Sequence, residues 1–194
     1  AVIKLGVGNT ASVMFALERL GADAVLTDDP MRISEAERVI LPGVGAAAPA
    51  MRLLERGLAE VLRDFSRPLL GICLGQQLLY EFSHEGGVAG LGLLAGEVAP
   101  IEPTPLLPAP HVGWSALHIE RACPLLEGVR TGEHVYFVHS FVCPVDDATV
   151  ATAEYGRVFS AAVARGSLFG CQFHPERSGA VGARVLRNFL ALPC

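Results

Sequence analysis

Three side chains of this sequence have the types and local settings of an acyl-transfer triad. Cys73 stands at the centre of Gly71-Ile72-Cys73-Leu74-Gly75, and His174 and Glu176 flank a proline in His174-Pro175-Glu176. The chemistry is specific: a thiol adds to a carbonyl carbon, an imidazole moves the protons, and a carboxylate orients the imidazole. The first motif has the Gly-x-nucleophile-x-Gly form of a strand-to-helix elbow, with cysteine where hydrolases carry serine. Residues 68–72 read as a buried strand, and 76–83, with apolar Leu78, Leu79 and Phe82, as the helix behind it. Backbone crowds the nucleophile in such a turn, so glycine on both sides makes steric sense. The helix N-terminus would favour thiolate over thiol. Taken alone, the motif is equally consistent with a buried structural cysteine in a Gly-rich turn.

The second motif shifts that balance. Proline fixes its own φ and disfavours helix at the preceding residue, so 174–176 should be extended. Residues two apart then share a side, which would let Glu176 accept the Nδ1 proton and leave Nε2 facing Cys73.

The elements that must position these groups follow from composition and pattern. The chain has 194 residues, 51% apolar and 18% charged, with a net charge of −5. That length suggests a single domain, 1–194, and the apolar content suits a sheet buried on both faces by helices. No basic run marks a nucleic-acid surface, and Pro and Gly interrupt every long uncharged stretch before it could span a membrane. Five cysteines without regular spacing form neither a disulfide framework nor a metal pattern, and no cofactor is implied. No secretory signal is read, and a reducing, cytoplasmic setting is the simplest expectation.

Strands are expected at 2–5, 24–27 and 38–41, with a helix after the first carrying Val13, Ala16, Leu17 and Leu20. Another helix carries Met51, Leu54, Leu58 and Val61 and returns the chain to the Cys73 strand. Repeated βα units of this kind form a parallel, doubly wound sheet whose ligands bind at the carboxyl ends of its strands, where the elbow and the 42–45 loop both fall. A proline-rich connection at 100–110 leads into a strand-rich second half, with strands near 112–119, 134–142, 149–153, 159–164 and 168–173, and a last helix near 181–190. Gly6-Val7-Gly8 lacks the third glycine and the acidic partner of a dinucleotide site and reads as structural.

The assembled motifs resemble the class I (triad) glutamine amidotransferases. More closely, they look like the glutaminase subunits of imidazole glycerol phosphate synthase, an enzyme of histidine biosynthesis. The resemblance runs through Gly8-Asn9, Leu41-Pro42-Gly43-Val44-Gly45, Gly71-Ile72-Cys73-Leu74-Gly75-Gln76-Gln77, Pro110-His111-Val112-Gly113-Trp114, Tyr136-Phe137-Val138-His139-Ser140 and Gln172-Phe173-His174-Pro175-Glu176-Arg177-Ser178. It implies a flavodoxin-like fold that hydrolyses L-glutamine and passes ammonia to a separate (β/α)8-barrel synthase subunit in a heterodimer. By the same resemblance Cys73 forms a γ-glutamyl thioester, His174 protonates the departing ammonia and activates water, and Glu176 holds His174. Amides of Leu74 and of the Gly43-Val44 region would meet the oxyanion. Gln77, Glu85, Ser140 and Phe141 would hold the amino-acid end of the substrate, and Asn9, Trp114, Tyr136 and Arg177 would face the partner.

Each carried-over role has a plainer alternative: Gln77 solvated on its helix, Glu85 an acid in a polar loop, His111 and Trp114 core residues. His139, between apolar neighbours, reads as a packed or capping histidine, and His84, His118 and His134 receive no role. The chain departs from the family pattern in Lys4-Leu5-Gly6, where Asp-Tyr-Gly is usual, in Phe141 for tyrosine, and in Arg177 for lysine. The alternatives are a glutaminase serving another synthase such as anthranilate synthase, a free-standing γ-glutamyl hydrolase, and a binding module that kept the fold without the chemistry.

Overall fold

The computed structural model describes residues 1–5, 10–43 and 45–194. The first half alternates short strands and helices: β1 (Val2–Ile3), α1 (Thr10–Arg19), β2 (Leu26–Thr27), α2 (Pro30–Glu35), β3 (Val39–Gly43), α3 (Ala47–Leu54), α4 (Ala59–Arg63), β4 (Leu69–Cys73) and α5 (Leu74–Leu78). Strands dominate afterwards: β5 (Tyr80–Ser83), β6 (Val88–Ala89), β7 (Leu94–Pro100), β8 (His111–Ala116), β9 (His118–Ile119), β10 (His134–His139), β11 (Phe141–Val142), β12 (Thr149–Tyr155), β13 (Arg157–Arg165) and β14 (Leu168–Cys171). The chain ends in α6 (Gly179–Ala191).

The main sheet has the order β2-β1-β3-β4-β14-β13-β12-β9. Its β2-β1-β3-β4-β14 portion is parallel, and β13, β12 and β9 continue it antiparallel. Alternation along the strands sends Ile40, Leu70 and Ile72 to one face and Val39, Leu41 and Leu69 to the other. Helices α1 and α6 cover the first face with Val13, Leu17, Val185, Leu186 and Phe189. On the second, α2, α3 and α4 pack Ile33, Met51, Leu54 and Leu62. The doubly wound α/β reading and the strand-rich second half therefore hold. Two smaller sheets, β10-β8 and β11-β7-β5-β6, stand beside the end of β4.

Two local expectations need correction, and one element lies outside them. The helix after the elbow stops at Leu78, and Tyr80–Ser83 is strand. The Leu79 carbonyl accepts from the amides of Leu93 and Leu94, and the Leu78 carbonyl from Leu91, so neither is left for a further helical turn. The helix expected through Met51, Leu54, Leu58 and Val61 is two, α3 and α4, broken around Gly57 at φ 129°. Helix α2 is not among the expected elements, although Asp29-Pro30 announces it: Asp29 Oδ1 accepts from the Met31 amide at 2.9 Å, with Pro30 in the first turn.

One close approach fixes α5 against the sheet. A β-carbon placed on Gly75 would lie 1.8 Å from the Leu41 carbonyl oxygen, so only glycine lets the helix rest on β3. Gly75→Ala is expected to push α5 off β3 and cost about 1–3 kcal/mol, in the range of overpacked cores. A thermal or urea melt of the variant checks this, and an unshifted midpoint would show that the contact yields freely.

Candidate active site

Strand β4 carries the chain outward between β3 and β14, and at Cys73 the backbone turns sharply into α5. Cys73 has φ 54° and ψ −110°, and it is the one non-glycine residue with positive φ among those described. Such a conformation costs of order 1–3 kcal/mol and persists only where packing enforces it. Here it aims a side chain 5% exposed into a cavity at the carboxyl end of the parallel strands. Gly43, the last residue of β3, pairs with Cys73 and lies against Leu74: a β-carbon on it would stand 2.8 Å from Leu74 Cβ and 3.1 Å from the Gly75 nitrogen. Gly43 and Leu74, both expected at an oxyanion site, are thus adjacent beside Cys73. Val44 lies outside the described residues.

His174 follows β14, and its ring is buried beside Cys73. Nδ1 donates to Glu176 Oε1 at 2.8 Å, with each side chain 5% exposed. The expected geometry of this tripeptide is only half right. His174 is extended, but residues Pro175–Arg177 form a 3₁₀ turn that curls the carboxylate back onto the imidazole. Ser178 Oγ locks the turn by donating to the His174 carbonyl at 2.6 Å. Burial works against a charged imidazole, yet the hydrogen bonds and charges of Cys73 and Glu176 outweigh it and hold the His174 pKa up at about 10. Nε2, the ring nitrogen not bonded to Glu176, is buried.

The cavity has a volume of about 350 Å³, and Cys73, Leu74, Gln77, Glu85, Ser140 and Phe141 all line it, with Gly45, Pro110, Val138 and His139. Every described residue expected at the substrate end therefore converges on the thiol. Gln77 is buried rather than solvated: Nε2 donates to the Phe141 carbonyl at 2.9 Å and to Gln172 Oε1 at 3.0 Å. Half-buried Glu85 accepts from the Ala47 amide at 2.8 Å, tying the cavity rim to the start of α3. Burial pushes its carboxyl up, and the Ala47 hydrogen bond partly opposes this.

The family described as glutamine amidotransferase class-I matches residues 2–192. The chain belongs to the class-I glutamine amidotransferases. It is similar to the imidazole glycerol phosphate synthase subunit HisH 1 of Vibrio vulnificus (strain YJ016), 47% identical over 198 residues that cover 98% of this chain and 97% of that one. The subunit HisH of Xylella fastidiosa (strain Temecula1) is 50% identical over 193 residues, covering 99% and 96%. Among solved structures, a glutamine amidotransferase from Thermotoga maritima matches with a TM-score of 0.70 at 17% identity, over 97% of this chain and 94% of that one. The glutaminase domain of Trypanosoma brucei CTPS matches with a TM-score of 0.69 at 16% identity, over 98% and 91%. Likeness at such identity speaks for the fold.

Other groups lie around this amidotransferase cavity. Gln172 is fully buried and donates from Nε2 to Cys73 Sγ at 3.6 Å. It stands two residues before His174, just past the end of β14. His111 and His139 form a buried pair, Nδ1 of the first to Nε2 of the second at 3.1 Å, which no spacing announces. His139 is a packed histidine, buried against Phe137 and Phe159, with its Nδ1 donating to the Phe141 carbonyl at 2.9 Å. Trp114, Tyr136 and Arg177 meet on the surface nearby: the Trp114 and Tyr136 rings lie 6.0 Å apart, and the Arg177 guanidinium sits 5.4 Å over the Tyr136 ring. Asn9 lies outside the described residues. No described helix is long and apolar enough to cross a membrane.

The histidine pair sets a pH limit on the fold. Burial lowers His111 to about 4 and His139 to about 3, the latter despite the Phe141 hydrogen bond. The unfolded chain takes up protons near pH 6.5 that the folded chain refuses, so stability is present above pH 6.5 and lost as pH falls toward 4. Melting temperature should fall by several degrees between pH 6.5 and 4.5. A variant carrying His111→Phe and His139→Asn should lose much of that dependence, and thermal melts across the range check it.

Proposed function

We propose that the chain is the glutaminase subunit of an imidazole glycerol phosphate synthase, working as one domain through a Cys73-His174-Glu176 triad. The observation that carries this reading is the cavity itself, which has an elbow cysteine at its floor and a carboxylate-held, protonated imidazole beside it. A binding module that kept only the fold would have no need to maintain that set.

The chemistry follows from the positions. The Cys73 sulfur adds to the carboxamide carbon of L-glutamine as the thiolate, its proton already on His174 Nε2. The negative oxygen of the tetrahedral adduct falls between the Leu74 amide and the end of β3 at Gly43, where one donor is typically worth ~3 kcal/mol. His174 gives its Nε2 proton to nitrogen, ammonia leaves, and a γ-glutamyl thioester remains on Cys73. Water then loses a proton to His174 Nε2 and adds to the thioester carbon, the C–S bond breaks, and glutamate departs. Glu176 keeps the ring in one tautomer through both steps and balances its charge. The substrate's amino-acid end takes the part of the cavity lined by Glu85, Gln77 and the 140–141 backbone.

Ammonia at neutral pH is mostly protonated and no longer nucleophilic, so the product requires direct transfer to an acceptor enzyme. That acceptor is a (β/α)8-barrel cyclase subunit. The surface that fits it is the patch of Trp114, Tyr136 and Arg177, continued by Val112, with Val112 57% and Trp114 54% exposed beside the cavity. Asn9 belongs to the same expectation.

Cys73→Ala should abolish glutamine-dependent synthesis by the complex while ammonium salts at raised pH still support it. Retained glutamine hydrolysis in that variant would remove Cys73 from the nucleophile's role. Trp114→Ala should weaken assembly with the barrel partner about tenfold or more, as truncation of an aromatic anchor does, without changing the melting temperature of the free chain. Titration by calorimetry or light scattering measures this, and an unchanged affinity would place the interface elsewhere.

A further inference from the structure

The polarity of the hydrogen bonds around the nucleophile is fixed by one backbone group. The Phe141 carbonyl can only accept, and it accepts from Gln77 Nε2 at 2.9 Å. This sets the Gln77 amide with its nitrogen inward, so its second N–H goes to Gln172 Oε1 at 3.0 Å. Gln172 Oε1 takes a second donor, the Cys143 thiol, at 3.9 Å. Cys143 is buried, and burial pushes its thiol far up, so it remains a donor. Gln172 therefore cannot flip: the reversed amide would turn its NH₂ onto the Gln77 NH₂ and the Cys143 S–H. Its Nε2 faces Cys73 Sγ at 3.6 Å.

We propose that Gln172 is a positioning residue for the nucleophilic sulfur, its captive amide N–H steering Sγ and stabilising the negative charge the sulfur carries before acylation and regains when the thioester breaks. The inference rests on the reading of Cys73 as nucleophile. The neighbouring backbone acceptor, the Val138 carbonyl at 3.7 Å, can hold only the protonated thiol. An anionic sulfur turns from Val138 toward Gln172 and the His174 imidazolium. Donors to an ion are stronger than donors to a neutral group, so this contact gains strength at the moments when the sulfur is charged. No covalent change occurs at Gln172: in deacylation the electron pair of the broken C–S bond stays on sulfur, in front of the amide proton.

The test is alkylation of the full-length chain by iodoacetamide, with the Cys73 and Cys194 peptides quantified by mass spectrometry. Cys194 is exposed and serves as the internal reference. Gln172→Met removes the donor at similar size. Gln172→Glu keeps an acceptor toward Gln77 and Cys143 and sets a carboxylate oxygen against the sulfur. Relative to Cys194, Cys73 alkylation should slow about tenfold in the first variant and about a hundredfold in the second, the range of a lost and a reversed charge-assisted hydrogen bond. In complex with the barrel partner, Gln172→Met should lower kcat for glutamine about tenfold and change KM less than about threefold. Folded variants with the wild-type alkylation ratio overturn the proposal. Loss of the fold in both variants also overturns it, because Gln172 would then be a structural residue. If wild-type Cys73 fails to react while Cys194 does, the nucleophile reading falls first, and this inference with it.

Discussion

The constraint on which the site depends is the backbone turn at Cys73. Its φ of 54° and ψ of −110° hold a non-glycine residue in a conformation that L side chains rarely adopt. The chain pays for it through close packing at both ends of the turn. Gly71 touches the backbone of Gly75 and Gln76, Gly75 touches the Leu41 carbonyl, and Gly43 touches Leu74, each at a distance where a β-carbon would overlap a neighbour. Strands β3 and β4 and the start of α5 thus form one rigid corner. From it the sulfur enters the cavity, with the start of α5 fixed beside it. A looser corner would leave the same residues present without fixing where the sulfur points.

A second constraint is the Phe141 carbonyl, which sets the direction of two polar chains. One runs through Gln77 and Gln172 to the sulfur. The other runs through His139 to His111, whose Nε2 meets Ser115 Oγ at 2.9 Å. With Nδ1 of His139 committed to a carbonyl, its Nε2 must accept, so His111 donates from Nδ1 and its Nε2 accepts the serine hydroxyl proton. Both rings are thereby held neutral, as their lowered pKa values require, within a stack of Phe137, Tyr155 and Phe159. His174, a short distance away, is held charged by its interactions with Cys73 and Glu176. Opposite protonation states in one small volume come from whether the neighbours are carbonyls and aromatic rings or sulfur and carboxylate.

The central βα units and the chemistry are legible in the sequence for different reasons. Period-two and period-three-to-four patterns identify β3, β4, α1 and α6 because burial on both sheet faces leaves little freedom in those segments. They fail at Leu78–Ser83, where a helical apolar pattern is overruled by backbone partners from Leu91, Leu93 and Leu94, which lie outside any local window. The His174–Glu176 contact is anticipated, but by way of an extended tripeptide. The 3₁₀ turn that makes it depends on Ser178 and on Gly182, where a β-carbon would stand 1.9 Å from the Pro175 carbonyl oxygen. Gln172 and the histidine pair escape because their importance lies in partners distant in the chain, and composition carries no trace of pairing.

Strand β10 joins the surface to the chemistry. Its inward residues Val135, Phe137 and His139 are buried in the core, and the alternate residues Tyr136 and Val138 face the other way. The Tyr136 carbonyl accepts from the His174 amide at 2.9 Å, its amide donates to Ser178 Oγ at 3.0 Å, and the Val138 carbonyl accepts from the Cys73 thiol. His174, the serine that locks its turn and Cys73 therefore all bond to one short run of backbone. The outward side chain of Tyr136 is the ring on which Trp114 and Arg177 rest. A molecule that pressed on those three side chains would bear on a strand it could not move without changing the separation of sulfur and imidazole. Coupling between such a surface and the triad needs no long relay through the fold, because the connection is a few hydrogen bonds deep.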